Sequence, residues 1–197
     1  MTKNTLGVLG GMGPLASAEF IKTLYEFNMS EKEQHAPACL LYSDPSIPDR
    51  TEAILSRRTA VVSHRILEAL KSLRSQGATH FVIACISSHY FIHDFPKAIK
   101  DSIISLVEVA LREVQAFPGN CLLLATTGTV QGQTFQRHPL WDSLNGKLII
   151  PEEHDQTLIH NFIYQHIKPN RSVVDETLLK SLKQKYKVDA FVAGCTE

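Results

Sequence analysis

Phe81-Val82-Ile83-Ala84-Cys85-Ile86-Ser87-Ser88 has a counterpart near the far end of the chain, Phe191-Val192-Ala193-Gly194-Cys195-Thr196. Each is an apolar, β-branched and aromatic run that ends in a small residue, a thiol and then a hydroxyl. Continuous apolar runs of this length are the signature of strands buried on both faces of a parallel sheet. In such sheets ligands bind beyond the carboxyl ends of the strands, where Cys85 and Cys195 stand. Two thiols at matched places in two half-chains suggest two bases facing one substrate.

Working outward, apolar runs alternate with helical patterns. Residues 6–9 read as a strand, and Gly10-Gly11-Met12-Gly13-Pro14 as a loop entering a helix with proline in its first turn. Ala18, Ile21, Tyr25 and Asn28 follow at helical spacing, the first three as an apolar face. Residues 38–42 form a second strand. Residues 59–75 form a helix with Val62, Ile66, Leu70 and Leu73 on one face and Gly77 beyond its end. The third strand is 81–85. The pattern then restarts with a strand at 121–125, a loop through Thr126-Thr127-Gly128-Thr129 into a helix, and a strand at 147–150. Helices at 152–167 and 173–186 follow, the latter with Val174, Leu178, Leu182 and Tyr186 on one face, and the last strand is 190–194. The expected architecture is α/β: two similar parallel-sheet βα-repeat domains, 1–100 and 101–197, related by a pseudo-twofold. The crossover lies near 101–104 and the active site in the cleft between the domains.

Composition excludes several classes. The 197 residues carry equal numbers of acids and bases, a formal net charge of zero. Nothing in that balance favours nucleic acid or an anionic membrane surface. The apolar run after the N-terminus is too short for a signal-peptide core, and no segment is long enough to span a bilayer, so a soluble cytoplasmic protein is expected. The four cysteines, Cys39, Cys85, Cys121 and Cys195, show neither CxxC pairing nor dense spacing. That argues against a disulfide framework and a structural zinc site. Cys39 and Cys121 lie inside apolar runs and read as buried small hydrophobes.

The other two thiols can do chemistry. A cysteine with a pKa of about 8.5 is made more acidic by a nearby helix N-terminus or cation. One thiolate can take a proton from one face of a carbon while a thiol returns a proton to the other, inverting the carbon with no cofactor. Deprotonation beside a carboxylate builds charge on it, so donors are needed there. The backbone N–H groups of residues 10–13 and 126–129 can form such anion-binding ends. The glycines do not match the dinucleotide spacing G-x-G-x-x-G. After the second strand, Ile47-Pro48-Asp49-Arg50-Thr51 is either a proline-stiffened turn in which Asp49 or Thr51 caps a helix, or a segment presenting Arg50 to a carboxylate. His89 either tunes the Cys85 thiol or begins a helix. Lys168 is either a second anion contact or a solvated helix-end lysine.

Taken together, Leu9-Gly10-Gly11-Met12-Gly13-Pro14-Leu15-Ala16, Ile47-Pro48-Asp49-Arg50-Thr51, Leu123-Leu124-Ala125-Thr126-Thr127-Gly128-Thr129 and Ala193-Gly194-Cys195-Thr196-Glu197 resemble the motifs of the aspartate/glutamate racemase family, most closely its aspartate racemases. The resemblance covers essentially the whole chain. It implies two similar α/β domains, usually dimeric, and a cofactor-independent amino-acid racemase with aspartate as the expected substrate. It assigns Cys85 and Cys195 as acid and base, with no metal. Arg50 and Lys168 would contact the carboxylates of a dicarboxylic amino acid, and Met12, Ser87, Ser88, Thr127, Thr129 and Thr196 would line the site. The chain departs from the pattern at Ile86, where the family has an asparagine whose hydrogen bond isoleucine cannot make. It also ends at Glu197, where family members continue with a segment and a final helix that complete the first domain; an exposed apolar surface is expected there. Two other readings stand beside racemisation: a non-racemising enzyme of the superfamily acting on a related acid, and a catalytically impaired dicarboxylate-binding homologue.

Overall fold

The computed structural model describes residues 4–28, 32–169 and 176–196. The chain divides into two compact units, Met1–Ser105 and Leu106–Glu197.

In the first unit the central strand is β1 (Thr5–Gly10), flanked in parallel by β2 (Ala38–Ser43) and β3 (His80–Ile83), in the order β2-β1-β3. Val8 stands opposite Leu41 on one side and Val82 on the other. The segment around Ile103 runs parallel beside β3, with the Phe81 amide donating to the Ser102 carbonyl at 2.8 Å and the Ile104 amide to the Phe81 carbonyl at 2.8 Å. Those bonds hold residues 102–104 to the first unit. Helix α3 (Ala60–Ser75) buries Val62, Ile66, Ala69, Leu70 and Leu73. Its end is set by Gly77, which takes φ 101°. The Gly77 amide then donates to Arg74 and the Ala78 amide to Leu73, the paired bonds of a Schellman stop.

The first helix differs from its sequence reading. In α1 (Pro14–Phe27) only Ser17 is buried. Ala18 and Tyr25 are exposed and Ile21 half-buried, so the apolar face does not seat in this unit's core. The helix is fixed at its start instead. The buried Ser17 hydroxyl accepts the Gly11 N–H at 2.9 Å and donates to the Gly13 carbonyl at 2.7 Å. A Cβ at Gly10 would overlap the Ser17 side chain, and one at Gly11 the backbone of Asp44. Helix α2 (Arg50–Leu55) begins where expected, and of the two candidate caps Asp49 acts: its carboxylate accepts the Glu52 N–H at 2.8 Å. A short helix, α4 (Lys97–Lys100), precedes the Ile103 segment.

The second unit repeats the plan. Strand β4 (Cys121–Ala125) is central, with β5 (Leu148–Ile149) and β6 (Ala190–Gly194) parallel to it in the order β5-β4-β6. Helix α5 (Leu106–Ala116), absent from the sequence reading, buries Val107, Leu111 and Val114. Helix α6 (Thr127–Gln131) follows β4. The helix expected over 152–167 is α7 (Glu153–Phe162) continued by a π turn, Ile163–Ile167. Helix α8 (Glu176–Tyr186) buries Leu182; the start expected at 173, with Val174, lies outside the described residues. Leu122, Ile159, Ile163, Leu182 and Val188 form one buried apolar cluster of this unit. A buried carboxylate ties α7 to α8: Asp155 accepts from Lys185 and from Tyr186, both at 2.6 Å, and Tyr186 accepts the Glu152 N–H at 2.8 Å. These bonds, that from Lys185 most, hold the Asp155 carboxyl below the ordinary carboxylate range. No described helix is long and apolar enough to cross a membrane.

Candidate functional site

Apart from Lys168, which ends the π turn after α7, the residues singled out by sequence follow the carboxyl ends of strands within each unit. In the first, β3 ends at Ile83, two residues before the expected position. Cys85 is still extended, but its amide turns back to the Ile83 carbonyl at 2.7 Å and leaves the ladder. A 3₁₀ run, Ile86–Asp94, begins at once. The Cys85 carbonyl accepts the Ser88 amide at 3.2 Å and lies 3.1 Å from His89 Nδ1. Burial pushes the His89 imidazole down to about 4, against weaker opposition from that backbone bond. At neutral pH it is uncharged, and with an acceptor facing Nδ1 the proton sits on that nitrogen. Of the two readings of His89, the geometry favours neither a charged partner for the thiol nor a helix start: the ring fastens the backbone that carries the thiol.

Met12 joins the three strand-tip loops of this unit. Its carbonyl, just after β1, accepts from Arg50 Nη2 at 3.0 Å, and its sulfur accepts from the Ser88 hydroxyl at 3.3 Å. Arg50, at the start of α2 after β2, also donates through Nη1 to the carbonyls of Ile47 and Pro48 at 3.2 and 3.1 Å. Three of its five N–H groups are thus engaged with backbone. Its Nε is buried with no hydrogen-bond partner. The side chain therefore holds the turn, the first of the two readings of the sequence, and keeps an N–H at Nε that no other group accepts. Met12, Arg50, Cys85, Ser87 and Ser88 are all buried, and Ile86 is buried among them.

In the second unit, Thr126 caps α6. Its hydroxyl accepts the Thr129 amide at 3.4 Å and lies 3.2 Å from the Thr129 hydroxyl. The Thr127 amide donates to His160 Nδ1 at 3.3 Å. Two of the amides expected to bind an anion are therefore already engaged within the protein, as is that of Gly11. Gln156, which the sequence reading passed over, donates from Nε2 to the Ala125 carbonyl at the tip of β4 at 2.9 Å, leaving its buried Oε1 without a partner. Lys168 lies with Nζ 3.9 Å from the centre of the Tyr164 ring. Cys195 and Thr196 follow β6 and are half-buried. Cys195 lines an apolar cavity of about 200 Å³ with Leu124, Phe162, Ile163, Leu178 and Ala193. Gly194 lets β6 approach β4, since a Cβ there would press on Leu123 and Ala125.

Cys121 is buried as expected, whereas Cys39 at the edge strand is only half-buried; burial pushes both thiols up, away from the thiolate. None of the four cysteines, all of them among the described residues, is in a disulfide. Among the described residues no group of His, Cys, Asp or Glu converges in a set that could hold a metal ion.

Residues 9–197 match the family described as Asp/Glu/Hydantoin racemase. The chain is 20% identical over 198 residues to the broad specificity amino-acid racemase RacX of Bacillus subtilis (strain 168), spanning 98% of this chain and 85% of that protein. Among solved structures it is similar to Picrophilus torridus aspartate racemase, with a TM-score of 0.79, 24% identity, and coverage of 98% of this chain and 81% of the other. It is also similar to glutamate racemase from Francisella tularensis subsp. tularensis SCHU S4 in complex with D-glutamate, with a TM-score of 0.63, 17% identity, and coverage of 100% and 70%. The paired three-stranded parallel sheets are the fold these structures share, and the chain belongs to the Asp/Glu/Hydantoin racemase family of isomerases.

Proposed function

We propose that the protein is a cofactor-independent amino-acid racemase, with aspartate as the expected substrate, in which Cys85 and Cys195 exchange the Cα proton. The observation that carries this reading is the matched placement of the two thiols. Cys195 directly follows, and Cys85 follows by one residue, the third strand of a sheet whose order is the same in both units, β2-β1-β3 and β5-β4-β6. In one direction the Cys85 thiolate takes the Cα proton. An S–H bond forms, the Cα–H bond breaks, and the electron pair passes into the carboxylate. The Cys195 thiol then gives its proton to the opposite face of the carbon and is left as thiolate. The reverse direction exchanges the roles. Arg50, through its unpartnered Nε, and Lys168 supply positive charge to the substrate carboxylates. Ser87, Ser88, Met12, Thr127, Thr129 and Thr196 complete the lining.

The test is proton NMR of L-aspartate and of D-aspartate in heavy water with the reduced protein. Enzyme-dependent loss of the Cα proton signal, with appearance of the other enantiomer, is expected for wild type, and neither Cys85→Ala nor Cys195→Ala should racemise. Full racemisation by either variant would overturn the two-thiol mechanism. Absence of exchange from both enantiomers in the folded protein would overturn aspartate as substrate.

A further inference from the structure

We propose that His160 and Tyr164 form a positioning ladder that locks Lys168 to the loop at the tip of β4, so that Thr127 and Lys168 are presented to a substrate carboxylate as one rigid unit; this rests on the proposed function, which makes Thr127 and Lys168 substrate contacts. The contacts run without a break along one helix edge. The Thr127 amide donates to His160 Nδ1 at 3.3 Å, the His160 ring lies 4.3 Å from that of Tyr164 at a tilt of 39°, and Lys168 Nζ lies 3.9 Å from the Tyr164 ring centre. Residues 160, 164 and 168 are four apart, the spacing at which helical side chains meet. The last interval lies in the π turn, where the Lys168 amide reaches back five residues to Ile163 at 2.9 Å. Such turns insert one residue and re-aim the side chains beyond it, and they recur at functional sites.

A lysine loses considerable rotamer freedom when it binds a ligand. An aromatic face that already attracts the ammonium removes part of that cost before the ligand arrives. His160 can accept from Thr127 only through an unprotonated Nδ1, so the ladder also fixes the orientation of that ring. Neither His160 nor Tyr164 needs to touch the substrate. They act through Thr127 and Lys168.

The experiment is calorimetric titration of the folded protein with malonate, a dicarboxylate that has no stereocentre to racemise. Tyr164→Met should bind malonate about fivefold more weakly or worse, the scale of one cation–π contact. Tyr164→Phe, which keeps the ring, should restore wild-type affinity. Lys168→Met should also weaken binding, and adding Tyr164→Met to it should cause no further loss. In wild-type protein, NMR should show the Lys168 side-chain methylene protons shifted upfield by the Tyr164 ring, a readout that does not require any variant to fold. Unshifted methylenes, unchanged binding by Tyr164→Met or by Lys168→Met, an additive double variant, or a wild type that ignores malonate would each overturn the ladder. Wild type that binds malonate with this pattern yet racemises no amino acid would uphold the ladder and overturn the racemase reading.

Discussion

His89 should make the protein labile to mild acid. Its ring is buried, its Nδ1 faces the Cys85 carbonyl at 3.1 Å, and burial pushes its pKa from the ordinary 6.5 down to about 4. The unfolded chain therefore binds this proton more readily than the folded one. Between pH 6.5 and 4 the unfolded state gains protons first, so stability falls as pH falls, and below pH 4 the loss is complete. A separation of that size corresponds to about 3 kcal/mol in full, with most of it lost by pH 4.5. The aspartates act in a different window. Asp44 and Asp155, both held below the ordinary 3.8, contribute stability that is present above that value and is lost as pH falls below it. Urea unfolding followed by circular dichroism at pH 7.5 and 4.5 should show the wild-type loss. His89→Asn should show little, because its amide N–H can donate to the same carbonyl without titrating. A His89→Asn protein that loses as much stability as wild type between those two pH values would refute the assignment.

Arg50→Ala should lower stability by about 2–4 kcal/mol, since it removes donors from three backbone carbonyls that join two strand-tip loops, and it should also abolish malonate binding; an unchanged melting temperature would refute the structural half. Ser17→Ala leaves the Gly11 N–H buried without its acceptor and should cost about 1–3 kcal/mol in a thermal melt. Asp155→Asn should flatten the loss of stability below about pH 4, because the carboxylate bound by Lys185 and Tyr186 no longer titrates; an acid limb identical to wild type would count against it. Iodoacetamide followed by mass spectrometry should find Cys195 alkylated before Cys85, since Cys195 is half-buried and Cys85 only 5% exposed. The reverse order would mean that access does not control the reaction.

The parallel strands were legible because a strand buried on both faces leaves an unbroken apolar run, and residues 121–125 and 190–194 stand where their composition put them. The helix over 60–75 was legible for the same kind of reason: its buried positions recur at helical spacing and a glycine in positive φ closes it. Helix α5 is absent from the sequence reading although Val107, Leu111 and Val114 carry that spacing. The apolar face of α1 was legible, but its exposure was not. Periodicity says that a face is apolar, but not that this unit's core receives it, and the buried residue proved to be Ser17, chosen for its hydroxyl. The early end of β3 had no sequence signal, because Ala84 and Cys85 suit a strand as well as the turn they make.

The site was legible as a set of residue types and illegible as a set of bonds, and the difference bears on mechanism. Motifs name Met12, Arg50 and Ser88 separately. In the structure they are one assembly, because a methionine carbonyl and its sulfur receive donors from two other strand-tip loops. The two units repeat the strand order but not the surroundings of the thiol. Cys85 follows a sheet whose tips carry an arginine, two serines and a buried neutral histidine, whereas Cys195 opens on an apolar cavity. Apolar surroundings disfavour a thiolate, and nearby donors or cations favour it. Two-thiol chemistry needs one sulfur ionised and the other protonated at the same moment, so a pair of identical environments would work against it. For the proposed two-thiol chemistry, the unequal surroundings of Cys85 and Cys195 are the arrangement that this requirement calls for.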